Sequence, residues 1–528
     1  MNLSINKRVG KTAFIVLLIF IITFSIFILF SETRGPDSNV IYNKGQKIGG
    51  VFTLYQKQVY ASVPSNGDYL VKEADANSFR LVDDSHQNQH FAIDKNHAYC
   101  GNLIVKDFNP ATARAIGNDY FTDGKQTCYC ASMSVRNEDL SIFSELGQMS
   151  LYGLGIGDKP QTYIYPLSTL KTSSVPYRAI LKTEVATNGN LAYYEGKILP
   201  QAHATGLRQI SEWYNDGDIR ENQNYLADGQ YVYYKNTRLP LQDHPDLHAI
   251  VIDAQNQEDY LIDPKQGMVY VNDIAFDKQH SPYRVLSLNG AHVYHSLFLS
   301  KDGIFYFDKK EKKVLRIRDN PFNKGNFKEI APLIFSDGHQ ILYTEVSQVW
   351  GRNKSPGLKS ESTHIYRLDE PTKGSWQKIG MVGGSYGSVW KNENTYYYFD
   401  QLGYSQLIPQ AIYRIHDQST VAALFAPQIR TDDIRNLVDT DHMIKVKRTE
   451  LVEIKTKFSS GFGGILWIIV ASFIGIQVLL WILRKLGVNM KPLRIKNQEL
   501  KRERGNEKRM WMKPKSKITN PANYMCLN

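Results

Sequence analysis

Three cysteines, a set of recurring aspartates and scattered histidines are the residues whose type and spacing could do chemistry in this chain. Cys100, Cys128 and Cys130 fall in adjacent aromatic-rich runs. Residues two apart in a strand point the same way, so Cys128 and Cys130 share a face, and Cys100 reaches one of them if the runs pair. A disulfide needs Cα atoms roughly 4.4–6.8 Å apart. Either one such bond forms and leaves an odd thiol, or the three are buried free thiols. No CxxC is present, which disfavours a redox enzyme. Asp94-Lys95-Asn96 has the first letters of a calcium loop, but an EF-hand needs Gly at its sixth place and an acid at its twelfth. Counted from Asp94, those places hold Tyr99 and Val105, so the aspartates read as turn residues. His244 and His248 have i, i+4 spacing but lie in the Pro-rich stretch LPLQDHPDLH, and there is no HExxH or Cys/His cluster for zinc. Ser385 sits in GGSYG, which fits GxSxG; a nucleophile elbow needs a helix straight after the serine, and SVWKNENTYYYFD reads as strand, turn, strand. Gly153 to Gly157 is glycine-rich but does not end in GK[ST]. No catalytic residue, cofactor site or metal site is expected.

The aspartates belong to a repeat, and repeats must be read before local structure. An apolar or aromatic pair, an Asp turn and an aromatic run recur as FAIDKNHAYC, YFTDGKQTCYC, YLADGQYVYY, YLIDPKQGMVY, FLSKDGIFYF and IFSDGHQILY. DKPQTYIYPL from Asp158 is a weaker copy, and LAYYEGKILP and FTLYQKQVYA have lost the Asp. The closing tyrosines are Tyr60, Tyr99, Tyr129, Tyr165, Tyr194, Tyr234, Tyr270, Tyr306 and Tyr343. Each copy reads as a β-hairpin. Asp123-Gly124, Asp228-Gly229, Asp302-Gly303 and Asp337-Gly338 suit a tight turn with both central residues at φ > 0, and Asn96 offers a similar left-handed position after Asp94. A lone hairpin is marginal in water, so several must stack.

FAIDKNHAYCGNLI, preceded by EADANSFRLV and followed by YFTDGKQTCYC, resembles the bacterial DKNYY family, with Asp94, Lys95, Asn96 and Tyr99 carrying the match. The resemblance covers roughly 48–250 and fades to about 345. It implies a bacterial envelope protein of uncharacterised activity and supplies no catalytic residues. Residues 290–440 have a rhythm similar to β-propeller blades, as in GIFYFDKKEKKVLRI and AIYRIHDQSTVAALF. No stretch between 35 and 440 shows a helical period comparable in strength to the hairpins. The fold expected is an all-β extracytoplasmic repeat domain, hairpin-built and propeller-like, as distorted blades or two β subdomains, with two transmembrane helices.

Two uncharged segments set the expected topology. Residues 12–30, TAFIVLLIFIITFSIFILF, span about 28 Å as a helix, close to a hydrocarbon core, and exceed the apolar region of a cleavable signal peptide. Residues 463–483 carry Trp467 and Trp481 near their ends. Lys7, Arg8 and Lys11 precede the first segment; Arg484 and Lys485 open a tail of thirteen Lys+Arg and three acids after the second. Lys and Arg mark the cytoplasmic side. The organisation expected is a cytoplasmic N-terminus 1–11, a span 12–30, a linker 31–47, DKNYY-like hairpins 48–250, propeller-like repeats 251–440, a juxtamembrane linker 441–462, a span 463–483 and a basic cytoplasmic tail 484–528.

The formal net charge of +11 is therefore local: residues 31–483 hold 47 basic and 49 acidic residues. Nucleic-acid binding is not expected, since the tail offers only Trp511 and Tyr524 as stacking rings. The expected site is the bacterial inner membrane, with both ends inside. The expected partners are the bilayer, anionic headgroups at the tail, and an envelope protein or glycan at the β domain. The role expected is binding or scaffolding; the alternatives are a sensor signalling through the tail and an envelope enzyme with a site in a β-repeat cavity. Cys526 falls on the reducing side.

Overall fold

Strands of three or four residues bury too little to stand alone, and this chain solves the problem by stacking. The computed structural model describes residues 38–458, except 84, 86–87, 215–216, 253–257, 289–292, 352–356, 371–374 and 401–407. These residues lie in one compact unit of the chain, Ile26–Gly464. Residues 12–30 and 463–483 lie outside them, as do Lys7, Arg8, Lys11, Arg484, Lys485 and Cys526. Among the described residues no helix is long and apolar enough to cross a membrane.

The chain forms antiparallel meanders in succession. Seven sheets have four or five strands, and an eight-stranded sheet consists of two four-stranded meanders joined by one parallel pair, so nine repeat units follow one another. They occupy 46–70, 80–105, 114–169, 178–198, 208–242, 248–275, 284–317, 328–368 and 376–445. The eight-stranded sheet runs across residue 250, where the sequence rhythm changes. Residues 443–445 and 448–457, read above as linker, are strands: the first closes unit nine, and the second returns to pair with 360–368 of unit eight. Linker residues at the start likewise form helix α1, Ser38–Lys44.

Core clusters join sequence neighbours. Phe52, Val59 and Ala61 pack with Ala92 and Tyr99; Tyr120 and Tyr129 with Ala186 and Tyr193; Val185 and Tyr194 with Leu226 and Tyr233. Period-two alternation explains the Tyr-Tyr pairs: Tyr193 faces unit three while Tyr194 faces unit five. Tyrosine hydroxyls stitch the interfaces. Tyr225 reaches the carbonyls of Asp259 and Asn272 in unit six at 3.0 and 2.9 Å, and Tyr120 reaches that of Glu184 at 3.0 Å.

Tyr165 does not close a repeat. Unit three is interrupted by an excursion over 131–166, containing a two-stranded ribbon and helix α2, Ile142–Leu154, and Tyr165 lies on its return. The hairpin rhythm hid this helix, whose first-turn cap Ser141 and left-handed C-cap Gly155 are both in the sequence. Helices α3, Gln418–Leu424, and α4, Thr431–Asp439, cover the far face of unit nine through Val421, Leu424 and Ile434.

The turn aspartates work differently from the expectation. Asp94 is not a central turn residue but closes the turn from its first position. Its Oδ1 accepts the N–H groups of Asn96 and His97 at 2.7 and 2.6 Å, and its Oδ2 accepts the Tyr99 hydroxyl and the Asp75 N–H, both at 2.8 Å. Asp228 repeats all four contacts with Gln230, Tyr231, Tyr233 and His203. Asp123 holds Lys125, Gln126 and Asn109, and Asp337 holds His339 and Gln340. Gly124, Gly229 and Gly338 have positive φ while the residues after them do not, so only one central residue is left-handed; Asn96 is not left-handed either. Asp302 is not an equivalent residue: Ser300 pairs with Gly303, and Asp302 lies between them with its carboxylate 2.8 Å from His280. Unit four has not lost the position; Asn188 holds Asn190 and Leu191 in the same way.

Burial opposes ionisation of Asp94, but the N–H groups of Asp75, His97 and Asn96 and the Tyr99 hydroxyl outweigh it and keep the carboxyl below its ordinary range. Asp228 is lowered for the same reasons. The stabilisation is complete above the unfolded value of about 3.9 and is lost as pH falls through the native one. Asp228→Ala is expected to lower stability by about 3 kcal/mol at neutral pH, because charged hydrogen bonds are lost and buried donors are left bare. Asp302→Ala should cost much less. Denaturant titrations of both variants at pH 7 and pH 3 check this; equal losses at pH 7 would contradict it.

Candidate functional site

A buried polar arrangement lies where unit eight meets unit seven, on the face opposite Glu345. Strands 341–351, 357–368 and 448–457 present Thr344 and Val346, Thr363, and Ile454 and Thr456 on one face, because Val346 pairs with Thr363 and Thr363 with Ile454. Against this face the connection between the first two strands of unit seven lays His295, 2% exposed. Its Nδ1 is 2.9 Å from Thr363 Oγ1 and its Nε2 is 3.1 Å from Thr456 Oγ1. Thr456 donates to Asp308 Oδ2 at 2.8 Å. Its oxygen therefore accepts from Nε2–H, and Nδ1 accepts from Thr363. The result is a one-way relay from Thr363 through His295 and Thr456 to Asp308.

Beside the relay is a small, partly open space of about 20 Å³, room for about one water molecule. His295, Thr363, Ser287 and Thr344 line it together with apolar Ile252, Leu286, Val293, Leu297, Leu333 and Val346. Thr344 Oγ1 is buried and has no hydrogen-bond partner in the structure. Burial, and after it the Lys309 charge, pushes His295 down to about 4 against the opposing pull of Asp308. The ring is neutral at pH 7. The lining thus offers hydroxyls and a neutral imidazole on an apolar wall, which suits a water molecule or a single uncharged, hydroxyl-sized group.

None of these residues was singled out from sequence. His295 and Thr456 are 161 residues apart, and no local pattern announces their meeting. The residues that were singled out go elsewhere. Asp94, Asp123 and Asp228 are engaged by their own turns and by the incoming connections, and Asp337 by its turn. His244 Nε2 lies 3.1 Å from Asp263 Oδ1, and His248 stacks on Trp213 at 3.9 Å, so the two histidines do not converge. A strand, 387–392, follows Ser385, as its sequence implied, and Gly155 caps α2. Among the described residues no group of three or more His, Cys, Asp and Glu is arranged to hold a metal ion.

Cys100 and Cys130 form a disulfide, with Cα atoms 5.8 Å apart, that links units two and three across their shared core. Cys128 is buried in the same cluster, and burial pushes its thiol pKa up. Closing a loop of 30 residues is worth roughly 3.5 kcal/mol of chain entropy in the loop model. Non-reducing peptide mapping should recover Cys100 joined to Cys130, with Cys128 alkylated only after denaturation. A Cys100–Cys128 peptide would contradict the arrangement.

His295 yields a second test. Its depressed native value means that stability is complete above the unfolded pKa of about 6.5 and declines as pH falls towards 4. Replacing His295 by Asn should remove that part of the slope between pH 7 and pH 5 in denaturant titrations. A slope identical to that of the unaltered chain would show that the ring titrates normally.

The family model described as the DKNYY family matches residues 52–237, from the second strand of unit one into the last strand of unit five. No curated protein matches the chain. The turn in which Asp94 holds Asn96 and Tyr99 is thus part of the matched region, and over residues 52–237 this chain is similar to the DKNYY family.

Proposed function

We propose that the chain is a membrane-anchored bacterial envelope protein whose extracytoplasmic β array is a binding module. Two helices, over 12–30 and 463–483, hold it with both ends inside, and the basic tail attracts anionic headgroups. The Cys100–Cys130 bond supports the outside address, because oxidising compartments favour disulfides. The observation that carries binding is the lining of the cavity beside His295: apolar walls, hydroxyls and a neutral ring whose nitrogens are both engaged. Such a surface receives one neutral, hydroxyl-sized group projecting from a glycan or from a side chain of an envelope protein.

The relay favours a second reading, an envelope enzyme with Thr363 as nucleophile and His295 as base. A covalent adduct on Thr363 after exposure to an activated phosphonate would establish that reading and displace the first.

Fluorine NMR of the detergent-solubilised full chain with 2-fluoroethanol tests the binding reading. Saturable broadening is expected, weakened several-fold by Thr344→Val and abolished by Val346→Trp; no broadening in the unaltered chain overturns it. Reporter fusions should place residue 250 outside and residue 510 inside. A cytoplasmic reporter active at 250 would overturn the topology.

A further inference from the structure

Helix α2 is apolar and leaves a broad arc of its circumference exposed. It has no buried residue among those whose side chains are described. Phe143 is 88% exposed, Ile142 66% and Leu151 48%, and the same excursion exposes Met133 at 76% and Ile156 at 59%. The helix is fastened by one side only. Glu145 accepts from Arg136 and Thr162, both at 2.8 Å, which ties it to the two-stranded ribbon. At 3.6 residues per turn, Phe143 lies roughly 160° round the helix from Glu145, so the apolar arc centred on it points away from the fastening. Glu145 is the helix's one charged residue.

A second exposed apolar element is the long hairpin of unit eight, with Val349 53% and Trp350 60% exposed near its tip. Trp350 is an amphipathic ring of the kind that settles at headgroup level.

Each element lies beside a point where the chain departs for one of the two apolar segments. Ser38 Oγ accepts the Asp68 N–H at 3.1 Å, and Lys159, five residues after α2, holds the Asn66 carbonyl at 2.5 Å. The start of the domain and the end of the excursion thus grip the same turn. Residues 31–37 separate Ser38 from the first segment and reach at most about 25 Å. At the other end, Phe458 donates its N–H to Lys359 O at 2.8 Å, next to Leu358, which pairs with Trp350. Residues 459–462 reach at most about 14 Å before the second segment begins. Because both segments would cross the same bilayer, the two points from which the chain departs lie within a short linker of its surface, and each exposed apolar element belongs to the part of the fold at one of those points.

We infer that α2 and the part of the unit eight hairpin bearing Val349 and Trp350 insert into the headgroup region of the outer leaflet and seat the array directly on the membrane. The inference rests on the anchoring proposed above. Its occupant is lipid rather than a second copy of the chain, because the two elements come from distant repeats and share only their nearness to the anchors. An amphipathic helix with one fastened polar side and a bulky apolar arc is the form that lies in a bilayer interface.

Spin labelling of the full chain in phosphatidylethanolamine–phosphatidylglycerol proteoliposomes tests it. On a Cys526→Ser background, labels at Phe143→Cys and Trp350→Cys should show high collision with oxygen and low collision with a water-soluble nickel chelate. A label at Ile198→Cys, exposed on unit four, should show the reverse. Aqueous signatures at both 143 and 350 overturn the inference, as does dipolar broadening at 143, which would indicate a second copy. A lipid signature at 198 as well would mean general adsorption and also overturn it. Carbonate washing of native membranes separates the two layers of the argument. A chain that stays in the membrane while its labels are aqueous removes only the seating; a chain that washes off removes the anchoring.

Discussion

A buried carboxylate that serves two pieces of chain at once sets the spacing of the repeats. One oxygen of Asp94 closes its own hairpin turn, and the other takes the N–H of Asp75, in the segment arriving from unit one. Asp123 does the same for Asn109 and Asp228 for His203, each in the connection from the preceding unit. A turn and the incoming connection cannot move independently when one buried acceptor satisfies both. Short strands then meet their neighbours in a constant register, and the two faces of each meander find successive partners. The Tyr99 and Tyr233 hydroxyls complete the coordination, which is why an aromatic residue stands five places after the acid.

The same place is filled by other chemistry where the acid or its tyrosine is missing. In unit three Cys128 stands where Tyr99 stands in unit two, and the disulfide beside it ties the interface covalently. In unit four Asn188 closes the turn and its amide donates to Ser173 in the incoming connection. In unit six Asp263 meets the side chain of His244, from the connection, instead of a backbone N–H, and its second oxygen is left without a partner. The function of the position survives even though its letters drift.

That drift explains what the sequence did and did not disclose. Alternating aromatics, Asp-Gly turns and the DKNHAY stretch marked the hairpins, since all are signals of period two or of a single turn. Asn188 is hard to read because an amide, not an acid, stands three residues before Leu191. Tyr165 misled because a tyrosine closing a strand and one closing an excursion look alike, and the excursion's helix was overlooked for the same reason. His295 was illegible for a different cause: its partners come from strands that are neighbours in space and 68 and 161 residues away in sequence. Local patterns carry no record of such pairs.

The last strand is the step that makes unit eight, not unit nine, the end of the array from which the chain departs. After unit nine the chain turns back, and residues 448–457 extend the sheet of unit eight along its full long hairpin. Arg448 on that strand pairs with buried Glu345, and Glu345 also accepts the Ala411 N–H of unit nine at 2.7 Å. Burial raises the Glu345 pKa, while the Ala411 N–H and the Arg448 charge favour its ionised form. One carboxylate thus binds the returning strand to unit eight and unit nine to both, so unit nine cannot peel away without uncovering a buried ion pair. The opposite face of the same three strands carries Thr344, Thr363 and Thr456 around His295. A sheet locked on one face by an ion pair and its neighbouring unit is a rigid wall for a cavity on the other, and rigidity is what an interior of hydroxyls needs in order to select a ligand by shape.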